Sequence, residues 1–151
     1  MTTRPLMPDT FPETIDQAPY PTEIDALAEL EAAFECAAEN GKRVLVNLGA
    51  NWCPDARLLC AVMVSPDLEG FLSEAYEIVR ISVGRYDQNM DLVAEMGFAN
   101  GLEGVPTILI CDTDGSVLNS DAVYRWRTAR QSTSQQMADY FFDYSGQDAT
   151  E

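Results

Sequence analysis

The 151-residue sequence contains no histidine. This absence excludes Ser–His–Asp and Cys–His catalysis, and every metal site that needs an imidazole ligand. No Cys-x-x-C pair is present among the four cysteines, so a four-thiolate zinc site is not expected. Asp112 and Asp114 are explained by a hairpin turn rather than by metal binding. We therefore predict neither a metal ion nor any other cofactor.

Basic residues are scarce. Nine Lys and Arg stand against 25 Asp and Glu, which gives a formal net charge of −16 and a pI near 4.1. Such a charge repels nucleic-acid phosphate and anionic lipid, so we expect neither nucleic acid nor a membrane as a partner, and we favour basic protein partners. The longest apolar runs, such as 108–111, are too short to span a bilayer. Without a secretory pattern, we expect a cytoplasmic location with reduced thiols.

Proline divides the chain. Residues 1–22 carry five of the eight prolines, at positions 5, 8, 12, 19 and 21, which blocks regular helix and central strand. We predict a proline-rich N-terminal arm over 1–22 that either wraps the domain or stays loose. A folded domain over 23–146 and a short tail over 147–151 follow.

Hydrophobic periodicity predicts strands that alternate with helices. A first helix is predicted after a Thr22 cap, with an apolar stripe and a stop at Asn40-Gly41. The stripe consists of Ile24, Leu27, Leu30, Phe34 and Ala37 or Ala38. Strands are predicted at 44–48, 76–83, 108–111 and, antiparallel, 116–118; further helices are predicted from Pro54, over 89–96 and from about Ser132. This order indicates an α/β fold with a central mixed sheet of about four strands flanked by about four helices.

The segment 52–57, Trp-Cys-Pro-Asp-Ala-Arg, lies where a buried strand ends and a helix begins. A thiol at Cys53 would sit over the unpaired amide groups and the positive end of that helix, which favour the nucleophilic thiolate. Asp55 opposes a second negative charge, and Arg57 can offset Asp55. The alternative is that Cys53 is a small buried residue that closes the loop.

The other three cysteines are predicted to be structural. Cys60 lies about two helical turns after Cys53, a rise of roughly 10 Å, which exceeds the ~7 Å limit on Cα separation in a disulfide. We predict that Cys60 faces inward, and that Cys36 and Cys111 belong to the core. The one basic cluster, Arg125, Arg127 and Arg130, is interleaved with Tyr124 and Trp126 and is either an anion site or a solvated loop paired with acids.

These motifs resemble the thioredoxin superfamily. The resemblance rests on the strand, then Trp-Cys-Pro, then helix; on Val105-Pro106-Thr107 about fifty residues later; and on the Asp114-Gly115 hairpin, and it covers roughly residues 23–144. It implies a thioredoxin-like domain in which Pro106 is cis and packs against the Cys53 sulfur. The backbone of Val105 should bind an extended substrate segment. The implied site residues are Trp52, Cys53, Pro54, Asp55, Ala56, Arg57, Val105 and Pro106.

Two departures from the family pattern limit the expected activity. Ala56 stands where the family has its resolving cysteine, and Asn47 stands where thioredoxin has a buried aspartate. Without the second thiol, a mixed disulfide on Cys53 cannot be released by internal attack. Ordinary dithiol reductase activity should therefore be absent or feeble.

Two functions stay open. In the first, Cys53 is a single active-site thiol that exchanges with protein thiols, protein disulfides or glutathione, or acts as a redox carrier or peroxide sensor. In the second, the chain is a redox-silent module that binds a partner in the groove beside Pro106. The sequence also leaves open whether Ala56 is natural or was introduced to trap a substrate.

Overall fold

A three-stranded mixed sheet forms the centre of the fold in the computed structural model, which describes residues 3–147. The strand order is β2-β1-β3, with β1 parallel to β2 and antiparallel to β3. The elements in chain order are α1 (Ala26–Asn40), β1 (Arg43–Gly49), α2 (Pro54–Met63), α3 (Glu69–Ala75), β2 (Tyr76–Ser82), α4 (Met90–Glu95), β3 (Thr107–Cys111), a 3₁₀ helix (Arg125–Gln131) and α5 (Ser134–Asp143). The predicted α/β class with a mixed sheet is confirmed.

The predicted fourth strand is reduced to a single bridge between Cys111 and Val117. The side chain of Asn119 occupies the hydrogen-bonding edge that a longer strand would need. Its Oδ1 accepts from the backbone N–H of Ile110 at 2.9 Å, and its Nδ2 donates to the carbonyl of Ile108 at 2.8 Å. Because one side chain satisfies both backbone groups, the edge of β3 is closed without a further strand.

The central strand β1 is buried on both faces, and its residues alternate between two apolar clusters. Val44, Val46 and Leu48 face the cluster that contains residues of α1 and α4. Leu45 faces the cluster formed with α2, α3, α5 and the buried indole of Trp126. The end of β1 is therefore held rigidly where the chain turns into α2.

Helix α1 differs from the prediction in its cap and in its buried face. Asp25, not Thr22, is the N-cap, and its carboxylate accepts from the backbone N–H of Ala28 at 3.1 Å. Ile24 and Leu27 are 39% and 49% exposed, so both predicted stripe positions are wrong. Small residues form the buried face instead: Ala26, Ala33 and Ala37, with Leu30 and Phe34 partly buried beside them.

Cys36 is exposed on α1, so its predicted place in the core is also wrong. Helix α1 packs through the face that carries its buried alanines, and Cys36 lies outside that face. Cys111 is buried in β3, as predicted. The predicted end of α1 is confirmed by Gly41, which adopts a left-handed φ of 68° and whose backbone N–H bonds the carbonyl of Ala37.

The N-terminal arm lies against α5. Arg4 forms ion pairs with Asp139 and Asp143 at 3.3 and 2.9 Å. Gln135 bridges to two backbone groups of the arm: its Oε1 accepts from the N–H of Met7 at 2.8 Å, and its Nε2 donates to the carbonyl of Pro5 at 2.9 Å. The arm continues from α5 toward the start of α2.

Two further predictions concern the C-terminal half. Arg125, Arg127 and Arg130 lie on the 3₁₀ helix rather than in a loop, and the guanidinium carbon of Arg125 is 4.1 Å from the ring centroid of Trp126. Of the predicted tail 147–151, all but Gln147 lies outside the described residues. Within residues 3–147, none of the helices has the length and apolar character needed to cross a membrane.

Candidate functional site around Cys53

Cys53 is the N-cap of α2, directly after the loop that leaves β1. Its backbone is extended, and Pro54 occupies the first turn, where a missing N–H costs nothing. The side chain makes no capping hydrogen bond to the helix start. Cys53 is only 6% exposed.

The structure brings Cys53 together with the second motif, 52 residues later. The thiol donates a hydrogen bond to the carbonyl oxygen of Val105, with a sulfur–oxygen distance of 3.6 Å. The peptide bond between Val105 and Pro106 is cis. Cys53 follows the end of β1 and Val105 precedes the start of β3, and the antiparallel pairing of these two strands brings both segments to the same end of the sheet.

Trp52 and Tyr86 form an aromatic rim on one side of Cys53. Trp52 is 41% exposed, and its indole Nε1 donates to the carbonyl of Gly84 at 2.7 Å. Its ring lies edge-on to the ring of Tyr86, with centroids 6.1 Å apart. This contact fixes an exposed apolar surface next to the thiol.

Asp55 is paired with Arg130, not with Arg57. Its Oδ1 accepts from the backbone N–H of Arg130 at 2.9 Å and from the guanidinium Nε at 3.2 Å. Arg57 instead donates to the side-chain oxygen of Gln17 in the arm. The expectation that Arg57 offsets Asp55 is therefore wrong, and Arg130 belongs to this site although its sequence neighbours suggested a separate cluster.

Ala56 and Cys60 lie on the inward side of α2, below Cys53. Ala56 is fully buried, so a methyl group fills the helix position three residues after Cys53. Cys60 is buried as predicted, and its sulfur accepts from the side-chain Nδ2 of Asn47 at 3.5 Å. Burial raises the pKa of the Cys60 thiol, which keeps it protonated and unreactive at neutral pH.

Tyr20 of the arm completes the site, and sequence reasoning missed it. Its hydroxyl donates to Oδ1 of Asn47 at 2.6 Å, and burial raises the pKa of the phenol well above its usual value. Its backbone N–H and C=O both bond the side chain of Asn51, at 2.8 and 3.0 Å. A Cβ at Gly49 would lie 2.2 Å from the Tyr20 ring. The glycine at the end of β1 is therefore the one feature of the sequence that indicates a side chain packed closely against this strand.

The site therefore contains one thiol with a pre-formed backbone neighbour, a buried polar pair beneath it and two arginines at its edge. Among residues 3–147, no group of three or more Cys, Asp or Glu side chains is arranged to hold a metal ion.

Comparison with known proteins agrees with this geometry. The sequence profile of the thioredoxin-like family matches residues 25–113, more than half of the chain. The chain belongs to the thioredoxin-like family. No protein of curated function matches it.

Two solved structures are similar to the chain. A disulphide isomerase from Xylella fastidiosa Temecula1 shares 26% sequence identity, with a TM-score of 0.76 over 83% of this chain and 95% of that one. The C-terminal domain of Neisseria meningitidis DsbD in its oxidised form shares 21% identity, with a TM-score of 0.46 over 62% of this chain and 78% of that domain.

Proposed function

We propose that the protein is a monothiol thiol–disulfide exchange protein with Cys53 as its nucleophile. The observation that carries this proposal is the position of the Cys53 sulfur at the start of α2, 3.6 Å from the carbonyl oxygen that precedes a cis proline. The likeness to a disulphide isomerase at 26% identity supports the same chemistry. Because fold alone does not fix function, the proposal depends on the thiol and its neighbours.

The exchange has two balanced steps. The Cys53 thiolate attacks one sulfur of a substrate disulfide; a new sulfur–sulfur bond forms to Cys53, the old one breaks, and the second substrate sulfur leaves as a thiolate. An external thiolate then attacks the mixed disulfide, takes the substrate sulfur as a new disulfide and returns Cys53 to its reduced form. No other oxidant or reductant takes part.

The second step requires an external thiol because the chain offers no internal one in reach. Ala56 fills the position one turn below Cys53, and Cys60 is a further turn away, hydrogen-bonded to Asn47. We therefore propose protein thiols or glutathione as the resolving partner. All four cysteines are free, which suits the reducing cytoplasm, and we propose that location.

Substrate binding is proposed on the surface beside Trp52 and Pro106. Trp52 and Tyr86 supply an exposed aromatic surface. An incoming disulfide would displace the weak thiol contact to the Val105 carbonyl, which then accepts a hydrogen bond from an extended substrate backbone.

The test is adduct formation with glutathione disulfide, followed by intact-protein mass spectrometry. The exposed thiol of Cys36 is first removed by Cys36→Ser, so that it cannot contribute an adduct of its own. In this background we expect one glutathione per chain on Cys53, released again by added glutathione. Adding Cys53→Ser should abolish the adduct. An adduct that survives Cys53→Ser in this background, or none while Cys53 is present, contradicts the proposal.

A redox-silent binding module is the second candidate, because Cys53 is 6% exposed and its thiol is already bonded to Val105. In that case the groove beside Pro106 holds a partner without covalent chemistry. In that case Cys53→Ser would leave partner binding unchanged. If the protein instead exchanges disulfides, Cys53→Ser would abolish the covalent capture of the partner.

A further inference from the structure

We infer that the disulfide substrate carries a carboxylate near its reacting sulfur, and that Arg57 and Arg130 bind this carboxylate in the cavity between the N-terminal arm and α2. The inference rests on the proposed function, because it specifies the substrate class of the same thiol. It replaces the expectation of basic partners, which considered only the net charge of the chain.

The cavity lies between the N-terminal arm and the first turns of α2, and it has a volume of about 360 Å³. Pro54, the residue after Cys53, forms part of its wall. Phe11 and Ile15 of the arm and Leu58 of α2 give it an apolar side, while the two arginines stand at its edge. A ligand seated there would contact apolar surface with its carbon chain and the guanidinium groups with its acid.

Arg57 has no carboxylate partner within 4 Å among residues 3–147. Its guanidinium bonds a neutral oxygen, that of the Gln17 side chain. The charge of Arg57 is therefore uncompensated by direct contact. A carboxylate that replaced the Gln17 oxygen would gain a charge-assisted hydrogen bond in the planar geometry that guanidinium favours.

Arg130 is only partly engaged. It contacts Asp55 through Nε and through its backbone N–H, and its side chain is 62% exposed. The outer edge of the guanidinium has no recorded partner in the described part of the chain. Within the described residues, the lining of the cavity thus includes two arginines and no acidic side chain, and Asp55 compensates only Arg130 by direct contact.

Local charge outweighs the net charge of −16 at this distance. At physiological ionic strength the Debye length is about 8 Å, so acidic residues on remote surfaces are largely screened. The two arginines act on a bound ligand at contact distance, where screening is weak. The net charge of the chain therefore attracts cations over long distances, whereas the two arginines in the cavity attract an anion at contact distance.

The experiment compares three small disulfides of similar length: dithiodipropionate, which is a dianion; hydroxyethyl disulfide, which is neutral; and cystamine, which is a dication. The second-order rate of mixed-disulfide formation on Cys53 is followed by intact-protein mass spectrometry in a Cys36→Ser background. We expect the dianion to react about tenfold faster than the dication, as one or two charge-assisted hydrogen bonds imply.

Three variants assign the preference. Arg57→Gln with Arg130→Gln should abolish it and leave cystamine the fastest reagent, because the overall negative charge then governs. Arg85→Gln makes half that change of net charge on an exposed loop residue outside the cavity, and should keep the preference. Gln17→Ala removes the hydrogen bond between the arm and Arg57 without changing the net charge. This variant should also keep the preference for the dianion.

The outcomes separate the two levels. No adduct with any of the three reagents overturns the proposed function itself. Reaction at equal rates, or fastest with cystamine in the parent chain, overturns the carboxylate inference and leaves the exchange function standing. A preference that survives the double arginine variant, or that is lost in Arg85→Gln or Gln17→Ala, overturns the assignment to Arg57 and Arg130.

Discussion

The hydroxyl of Tyr20 donates a 2.6 Å hydrogen bond to the side-chain oxygen of Asn47, and both residues are buried. This bond joins the proline-rich arm to the central strand directly beneath the Cys53 loop. The side-chain amide of Asn47 has three partners: its oxygen accepts from Tyr20, and its nitrogen donates to the sulfur atoms of Cys60 and Met63. The arm is therefore a structural part of the site.

Removing the Tyr20 hydroxyl should destabilise the fold. In Tyr20→Phe the oxygen of Asn47 loses its donor in a buried setting, which costs about 1–3 kcal/mol in the free energy of unfolding. Urea denaturation measures the change. Tyr86→Phe is the matched control, since Tyr86 is 40% exposed, and it should lie within about 0.5 kcal/mol of the parent. Equal effects of the two substitutions contradict the role given to the bond.

Gly49→Ala should force Tyr20 out of its place. The added Cβ would lie 2.2 Å from the Tyr20 ring, so the free energy of unfolding should fall by about 1–3 kcal/mol. Gly70→Ala on α3 is the control, because a Cβ there meets open space, and it should be neutral or slightly stabilising.

The clash can be isolated with a double-mutant cycle. If Tyr20 is the residue displaced, Gly49→Ala should add little to the loss already caused by Tyr20→Ala. Additive losses in the double variant would show that Gly49 is constrained by something other than the arm.

Ala56→Cys should convert the site to a dithiol. Residues three apart on a helix are neighbours, so Cys53 and the new thiol can close a disulfide. Mild oxidation should remove two free thiols per chain, and insulin reduction should rise about tenfold or more because the second step becomes intramolecular.

Ala61→Cys is the control for this conversion. It adds a thiol to the same helix, eight residues from Cys53 and thus a rise of about 12 Å, beyond disulfide reach. After mild oxidation, this variant should retain all of its free thiols. If the position-56 variant behaves in the same way, the proposed geometry of the α2 start is wrong.

Stability should decline at alkaline pH. Burial raises the pKa of Cys111 to about 11, whereas the pKa of a thiol in the unfolded chain is about 8.5. Because the folded pKa is raised, the stabilisation is fully present below about pH 8.5 and is lost as the pH rises toward about 11. Burial also raises the pKa values of Tyr20 and Cys60, so the ionisation of these groups adds to the loss of stability.

Urea midpoints between pH 7 and pH 10, measured under reducing conditions, check the effect. Cys111→Ala should begin at a lower midpoint, because a buried side chain is truncated, and should then decline less steeply. Cys36→Ala, at an exposed thiol, should follow the parent slope. An unchanged slope in the position-111 variant would falsify the assignment.

Much of the local structure could be predicted from short stretches of sequence. Thr133 and Gln136 form the capping box that starts α5, one of two overlapping matches in that segment. Asp112 and Gly115 close the predicted turn after β3, with a backbone hydrogen bond of 2.9 Å. Such features depend on side chains and backbone groups within a few residues of one another, so the sequence states them directly.

The sequence by itself determined the thioredoxin-like class and the place of Cys53, because strand, thiol, proline and helix are consecutive in the chain. Only the tertiary structure decided which groups surround that thiol. Asp55 pairs with Arg130, 75 residues away, and Tyr20 reaches Asn47 from an arm without regular structure. Ile24 was left exposed by the orientation of α1 against the sheet. These outcomes depend on how distant surfaces pack together, and no local periodicity encodes that packing.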